Sequence, residues 1–287
     1  MAPAPRRLLW PCLLLLLLAV ACGEPLATPE PVFVQATGSM DMASLVAELG
    51  VAYEDESPLV TVEVDDPGST FGLRALRAGE TDVAMVSWLP PGGEEGGGGA
   101  WQLEPGWRAT AIARDGLAIV VHPDNPLQGL GLLQLQDLFS GHVYEWASTS
   151  EPSGGSTLAA LGEVQPVSRE AGSGARAAFE SLVMVDREVT PRAALLLSPA
   201  AVVEYVAATP NAIGYVSMAQ VTPEVKVLEV EGLLPTPETT AQGAYPLSRE
   251  LWLVAIGPYS PAVRDFVDFC LSAAGQQIVG RHYGRIR

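Results

Sequence analysis

Val167-Ser168-Arg169-Glu170-Ala171-Gly172-Ser173-Gly174-Ala175-Arg176 follows a short apolar run, Val164 to Val167, and precedes an amphipathic one carrying Ala177, Phe179, Leu182 and Val183. It reads as strand, tight glycine turn, helix. A helix that starts at Ser173 turns its unpaired N–H groups and the positive end of its dipole back towards that turn. Arg169, at the end of the strand, adds a rigid fork of donors to the same space. That combination holds an oxyanion without a metal. Gly38-Ser39 and Gly68-Ser69 open helix-like runs in the same way. The expectation is three helix starts converging on one anion.

On the N-terminal side, Val32-Phe33-Val34 reads as a strand, Met42 to Tyr53 as a helix and Leu59 to Val64 as a second, alternating strand. Ser69 begins a helix that ends near Gly79, and Asp82 to Ser87 is a strand buried on both faces. This order is the grammar of a parallel α/β sheet, whose ligands bind at the carboxyl ends of the strands. Arg108 to Val121 is a longer β-rich run, and Leu132 to Phe139 a short helix. Beyond the central stretch come a helix (about Ala200 to Ala208), strands at Ala212 to Val216, Val225 to Val230 and Pro246 to Ala255, and closing helices at Pro261 to Leu271 and Ala273 to Tyr283. Pro90 to Gly99, rich in Pro and Gly, is expected to be a surface loop; it has the glycines of a phosphate-binding loop without their spacing.

The chain's 287 residues suit one large domain or two lobes. Residues 1–21 read as a signal peptide: Arg6-Arg7, an apolar core from Leu13 to Leu18, and Ala19-Val20-Ala21 before Cys22. Ala-Val-Ala-Cys resembles a bacterial lipobox, so Cys22 is expected to carry lipid, with plain secretion or a periplasmic location as the alternative. Residues 22–31 then form the anchor and a Pro-rich tether. Cys270 lies in an apolar helical pattern and reads as a buried small hydrophobe. The net charge of −17 grows more acidic once Arg6 and Arg7 leave with the leader. Such a balance argues against nucleic acid. It also slows capture of an anion, but salt screens exposed charges beyond about 8–10 Å, so affinity has to come from local groups.

Taken singly, Ser39 and Ser69 read as ordinary helix caps, each worth about 1 kcal/mol. Ser173 stands out because glycines flank it and Arg169 lies at the strand edge. Ser87, at a strand's carboxyl end, either bonds its own backbone or faces the cleft, and Arg176 is expected to pair with Glu180 one turn on. The three histidines are scattered, and neither Gly-x-Ser-x-Gly nor His-Glu-x-x-His occurs. The sequence therefore predicts no enzyme, no metal and no cofactor.

The chain resembles the substrate-binding lipoproteins of phosphate ABC transporters. The likeness is carried by Gly38-Ser39, Gly68-Ser69, Asp82 to Ser87, Asp115 to Pro126, Leu135 to Gly141, Arg169 to Arg176, Ala212 to Val216 and Tyr245 to Arg249. It implies an α/β class II periplasmic-binding-protein fold with two lobes, each a mostly parallel sheet flanked by helices, closing on one dehydrated phosphate. Lobe I would comprise residues 32–121 and 217–287, and lobe II residues 122–216. By position, the resemblance assigns Ser39 and the Met40 amide to one helix start, and Ser69 with Thr70 to the second. Arg169, Ser173 and the amides of Gly174 and Ala175 form the far wall. Partners implied are inorganic phosphate or a similar oxyanion, a transporter permease and, through the lipid, a membrane; a monomer is expected. Three departures stand out: Met40 and Ala175 replace hydroxyl residues, and Trp88 stands where the family has Asp or Arg. That Asp accepts the proton of hydrogen phosphate and rejects sulfate; Asp41 reads either as its nearest replacement or as a first-turn carboxylate that favours the helix. Two alternatives stay open: a receptor for sulfate, molybdate or tungstate, and an anchored interaction or sensory protein that has lost anion affinity.

Overall fold

The computed structural model describes residues 30–89, 103–149 and 155–286, the last range by backbone alone over 155–157. The leader, Cys22, most of the tether and the Pro90 to Gly99 loop lie outside the described residues. In chain order the elements are β1 (Val32–Gly38), α1 (Ala43–Glu56), β2 (Val60–Asp65), α2 (Ser69–Ala78), β3 (Val83–Val86), β4 (Trp107–Val121), β5 (Gly129–Leu130), α3 (Leu132–Ser140), α4 (Gly155–Leu161) and β6 (Gln165–Arg169). There follow α5 (Gly174–Phe179), which runs on as a wider turn over Glu180–Met184, then β7 (Ala194–Leu196), α6 (Pro199–Ala208), β8 (Ala212–Ser217), β9 (Lys226–Val230), α7 (Pro237–Ala241), β10 (Ser248–Ile256), α8 (Pro261–Leu271) and α9 (Ala273–Val279). The last helix stops at Val279 rather than running to Tyr283, and β5, β7, α4 and α7 are too short to leave a readable period.

The sheet runs β2-β1-β3-β10-β4-β8-β6-β7. Its two ends are parallel, as the strand–turn–helix grammar predicts, while β10 returns antiparallel between β3 and β4, and β8 lies antiparallel on β4. The sheet is thus mixed. β4 is the shared strand: its first part, Trp107 to Gly116, pairs with β10, and Leu117 to Val121 pairs with β8.

Strand alternation distributes the core. Leu117, Ile119 and Val121 enter a cluster with Phe139, Phe179, Tyr215 and Leu228, whereas Ala118 and Val120 point the other way, to Val167, Val202 and Val206. A separate cluster gathers Val34, Ala36, Leu45, Leu49, Met85, Leu251, Leu253 and Phe266, and a fourth joins Leu73 and Leu76 to Val86. Leu117, Ile119 and Val121, and likewise Leu228, Val230, Tyr245 and Leu247, pack against the α3–α5 side. Cys270 is wholly buried, and burial pushes its thiol up, so it is a core residue and not a reactive one. Among the described residues no helix is long and apolar enough to cross a membrane.

Candidate functional site

β1 ends on Gly38 with φ of 152°, where a Cβ would lie 2.1 Å from the Met85 carbonyl oxygen. Only glycine allows that approach. It lets Ser39 N–H donate to Met85 O at 2.9 Å and sets Ser39 beside the end of β3. Gly68 N–H donates to Gly38 O at 2.7 Å, which brings the start of α2 to the same place. Across the sheet, the Gly172 carbonyl accepts from both Thr70 N–H (3.3 Å) and Thr70 Oγ1 (3.2 Å), so the turn before α5 is stitched to the turn before α2.

Four serines are drawn together there. Ser39 Oγ donates to Ser87 Oγ at 2.8 Å, and Ser69 Oγ lies 3.4 Å from Ser87 Oγ while accepting from Ser87 N–H at 3.3 Å. Ser173 caps α5 by accepting from Arg176 N–H at 3.3 Å. Gly174 sits so close that a Cβ would fall 2.2 Å from Ser87 Oγ and 2.7 Å from Ser69 Oγ. Ser39, Met40, Asp41, Gly68, Ser69, Arg169, Glu170, Ser173 and Gly174 line one narrow, closely packed cleft. The amides of Ser69 and Gly174 make no hydrogen bond to another described group, as expected of first-turn donors, and neither does that of Met40 in the turn ahead of α1.

Arg169 is buried and held on several sides. Its Nε and Nη2 donate to the two Glu170 carboxylate oxygens at 2.9 and 3.0 Å, and Nη2 also reaches Met40 Sδ at 3.6 Å. Nη1 points to Asp41, 4.0 Å from Oδ1. Its backbone N–H donates to Tyr215 Oη at 3.4 Å, and that hydroxyl shares a 2.8 Å hydrogen bond with Ser168. Tyr215 is itself stacked on Phe179 with centroids 4.3 Å apart. Burial pushes its phenol up to about 12. Arg176 pairs with Glu180 at 2.7 Å, as read from the sequence, and also donates to Arg169 O at 3.1 Å.

Asp41 divides its oxygens. Oδ2 accepts from Arg249 Nη2 at 2.7 Å and from Ser87 Oγ at 3.2 Å; Oδ1 is buried and has no hydrogen-bond partner. A buried, unpartnered acceptor on a carboxylate calls for a donor from outside the chain. Arg249 in turn donates through Nε and Nη2 to Asp115 Oδ2, at 3.0 and 2.7 Å.

The structure thus brings Ser39, Met40, Asp41, Ser69, Arg169, Ser173 and Gly174 to one cavity, with Ser87 hydrogen-bonded just behind. Thr70 turns its hydroxyl to Gly172, and the Ala175 side chain packs in the apolar cluster with Phe179 while its backbone amide stays in the first turn of α5. Trp88 also turns into that cluster. Sequence reasoning passed over Glu170, Asp115 and Arg249. Arg249 carried a readable sign, a charge in phase with Leu247, Leu251 and Leu253 on the buried face of β10.

Among proteins of known sequence, the phosphate-binding protein PstS of Pseudomonas aeruginosa is 28% identical over 259 residues, 84% of this chain and 79% of that one. PstS 2 of Streptococcus pneumoniae is 35% identical over 135 residues, a match that spans only 46% of that protein's length. Among solved structures, a phosphate ABC transporter substrate-binding protein from Clostridium perfringens with bound phosphate superposes with a TM-score of 0.77 at 27% identity, covering 89% of this chain and all of that one. An ABC-type phosphate transport receptor from Vibrio cholerae gives 0.70 at 27% identity, covering 88% and 99%. A family model described as a PBP superfamily domain matches residues 25–274. With the mixed α/β sheet, the convergent helix starts and that match in hand, the chain belongs to the PBP superfamily of periplasmic binding proteins.

Proposed function

We propose that the protein captures inorganic phosphate outside the cytoplasm and presents it to the permease of an ABC transporter, without catalysis. The observation that carries this reading is the single cavity at which three helix starts, the Arg169 guanidinium and the free Asp41 Oδ1 meet. Amides and hydroxyls from Ser39, Met40, Ser69, Ser173 and Gly174 supply donors, and Asp41 Oδ1 takes the proton that hydrogen phosphate has and sulfate lacks. Micromolar affinity requires about 8 kcal/mol, and hydrogen bonds to a charged group contribute about 1.5–3 kcal/mol each, so five or six suffice. In this reading the two lobes meet where the chain crosses near residues 116–117, 217–218 and 247–248, and Cys22 carries the lipid that keeps the receptor at the membrane.

Calorimetry on the mature chain tests it. Phosphate is expected to bind at micromolar or tighter concentration and sulfate much more weakly; equal competition by sulfate removes phosphate specificity. Asp41→Asn replaces an obligate acceptor with a group that also donates. The phosphate-to-sulfate preference should then fall by at least about tenfold, because the unfavourable pairing of a carboxylate with a fully ionised anion is gone. Gly174→Ala places a methyl group on the Ser87 and Ser69 hydroxyls, and phosphate affinity is expected to drop about tenfold, the loss of one charge-assisted hydrogen bond. A methyl that leaves affinity untouched would show that α5 does not wall the site.

One observation favours a second reading, an anchored sensory protein with little anion affinity: Glu170 already occupies two Arg169 nitrogens. Failure of phosphate to raise the melting temperature at concentrations far above micromolar would select it.

A further inference from the structure

Behind the cavity lies a buried arrangement that the phosphate reading does not yet use. Arg249 and Asp115 face each other as direct cross-strand partners on β10 and β4. Both side chains are fully inaccessible, and they sit where β4 leaves β10 and begins to pair with β8. Asp115 is completely engaged: Oδ2 accepts Arg249 Nε and Nη2, while Oδ1 accepts Ser217 Oγ at 2.9 Å and Met218 N–H at 3.3 Å. Its role is to fix the guanidinium.

We infer that Arg249 is a positioning residue for anion selectivity, holding one oxygen of Asp41 so that the other stays free on the cavity side. The inference rests on the phosphate reading given above. Two guanidinium groups compete for the Asp41 carboxylate. Arg249 Nη2 holds Oδ2 at 2.7 Å, and Arg169 Nη1 stands 4.0 Å from Oδ1. Were Arg249 absent, the buried carboxylate would turn to Arg169, the other guanidinium that the described residues place beside it. That single rotation would cost the site twice. It would consume the Arg169 nitrogen not already taken by Glu170, and it would occupy the acceptor that reads the ligand's proton. Tyr283 Oη donates to the Asp41 carbonyl at 3.0 Å, so the backbone is fixed, and the carboxylate's rotation is decided by Arg249 with the longer, uncharged bond from Ser87 Oγ on the same oxygen. Only a planar fork can serve Asp115 and Asp41 together; a lysine ammonium at the same place is a point charge on a flexible stem.

The test uses Arg249→Lys and the double variant Arg249→Met/Asp115→Leu, each on the mature chain, with calorimetric affinities for phosphate and for sulfate and a thermal melt. The double variant removes one positive and one negative buried group together, so it leaves no lone charge from that pair and keeps a folded protein to measure. In both variants phosphate affinity is expected to fall about tenfold or more and the phosphate-to-sulfate ratio to fall by a similar factor, since Asp41 then pairs with Arg169. A merely architectural role lowers both affinities by one common factor. An unchanged ratio in either folded variant therefore overturns the inference. Wild-type protein that binds phosphate and sulfate equally overturns it too, since there is then no selectivity to position. Wild-type protein that binds neither anion overturns the phosphate reading itself, and the role of Arg249 with it.

Discussion

Arg169→Met is expected to raise the phosphate dissociation constant by at least about 100-fold, roughly 2.7 kcal/mol of binding. Two effects add. The first is loss of the charge-assisted donor at Nη1, worth about 1.5–3 kcal/mol in a dry site. The second comes from Glu170, whose carboxylate accepts two Arg169 hydrogen bonds and lines the same cavity. Stripped of its partner, it becomes an uncompensated negative charge facing an anion, and like charges brought together away from water repel strongly. Arg169→Met/Glu170→Gln should accordingly recover about tenfold of the loss by removing the repulsion while the donor stays missing. Arg169→Lys should fall between wild type and the methionine variant, because it keeps the charge and gives up the fork. Calorimetric titration of the four proteins decides the matter; a methionine variant within about threefold of wild type would place the guanidinium outside the binding site.

Arg169 and the serines were legible because the chemistry that positions them is local. A Gly-Ser step ahead of an amphipathic run marks a helix start, and such starts at the carboxyl ends of parallel strands face one crevice. Gly38 and Gly174 also explain why the convergence is so tight, since a side chain at the first would collide with the β3 backbone at Met85 and one at the second with the Ser87 and Ser69 hydroxyls. The direction of individual side chains around those starts was not legible. Thr70 and Ala175 each stand one residue beyond a Gly-Ser or Ser-Gly step, yet one bonds the opposite turn and the other faces the apolar cluster, because packing against Gly172 and Phe179 decides it. The antiparallel centre of the sheet escaped for a related reason. Nothing within β10 itself says that it returns between β3 and β4.

Arg249 and Asp115 show where local reading ends. Each occupies an inward position of an alternating strand, which marks it as a buried charge in need of a partner. Which partner is a matter of register between strands 134 residues apart, set by non-local pairing that no window of sequence contains. Asp41 is thus fixed, through Arg249, from a part of the chain that its own neighbourhood does not announce.

That long-range dependence predicts a large effect on stability. Asp115→Ala is expected to lower unfolding stability by about 3–5 kcal/mol, because removing one partner of a buried pair leaves the other charged, with Asp41 alone to answer it. For a domain of this size the melting temperature should fall by roughly 10 °C. Burial pushes the Asp115 carboxyl up against the opposing pull of Arg249, while Arg249, whose charge burial opposes, is held above its usual range by Asp41 and Asp115. A guanidinium is not deprotonated in proteins, so Arg249 stays charged when Asp115 goes. Its Nη1 already lacks a partner, and the loss of Asp115 would leave Nε without its acceptor as well. Asp41 cannot compensate for both carboxylates, since its Oδ2 meets Nη2 alone. Ser217 Oγ and Met218 N–H would be orphaned in the same step, at the point where the sheet changes its pairing. The double variant Arg249→Met/Asp115→Leu should regain at least half of the lost stability, because apolar groups of similar bulk need no partners. Thermal melts of the two proteins separate the explanations: if the double variant is no more stable than Asp115→Ala, the cost is one of shape at the strand crossing, and charge has little part in it.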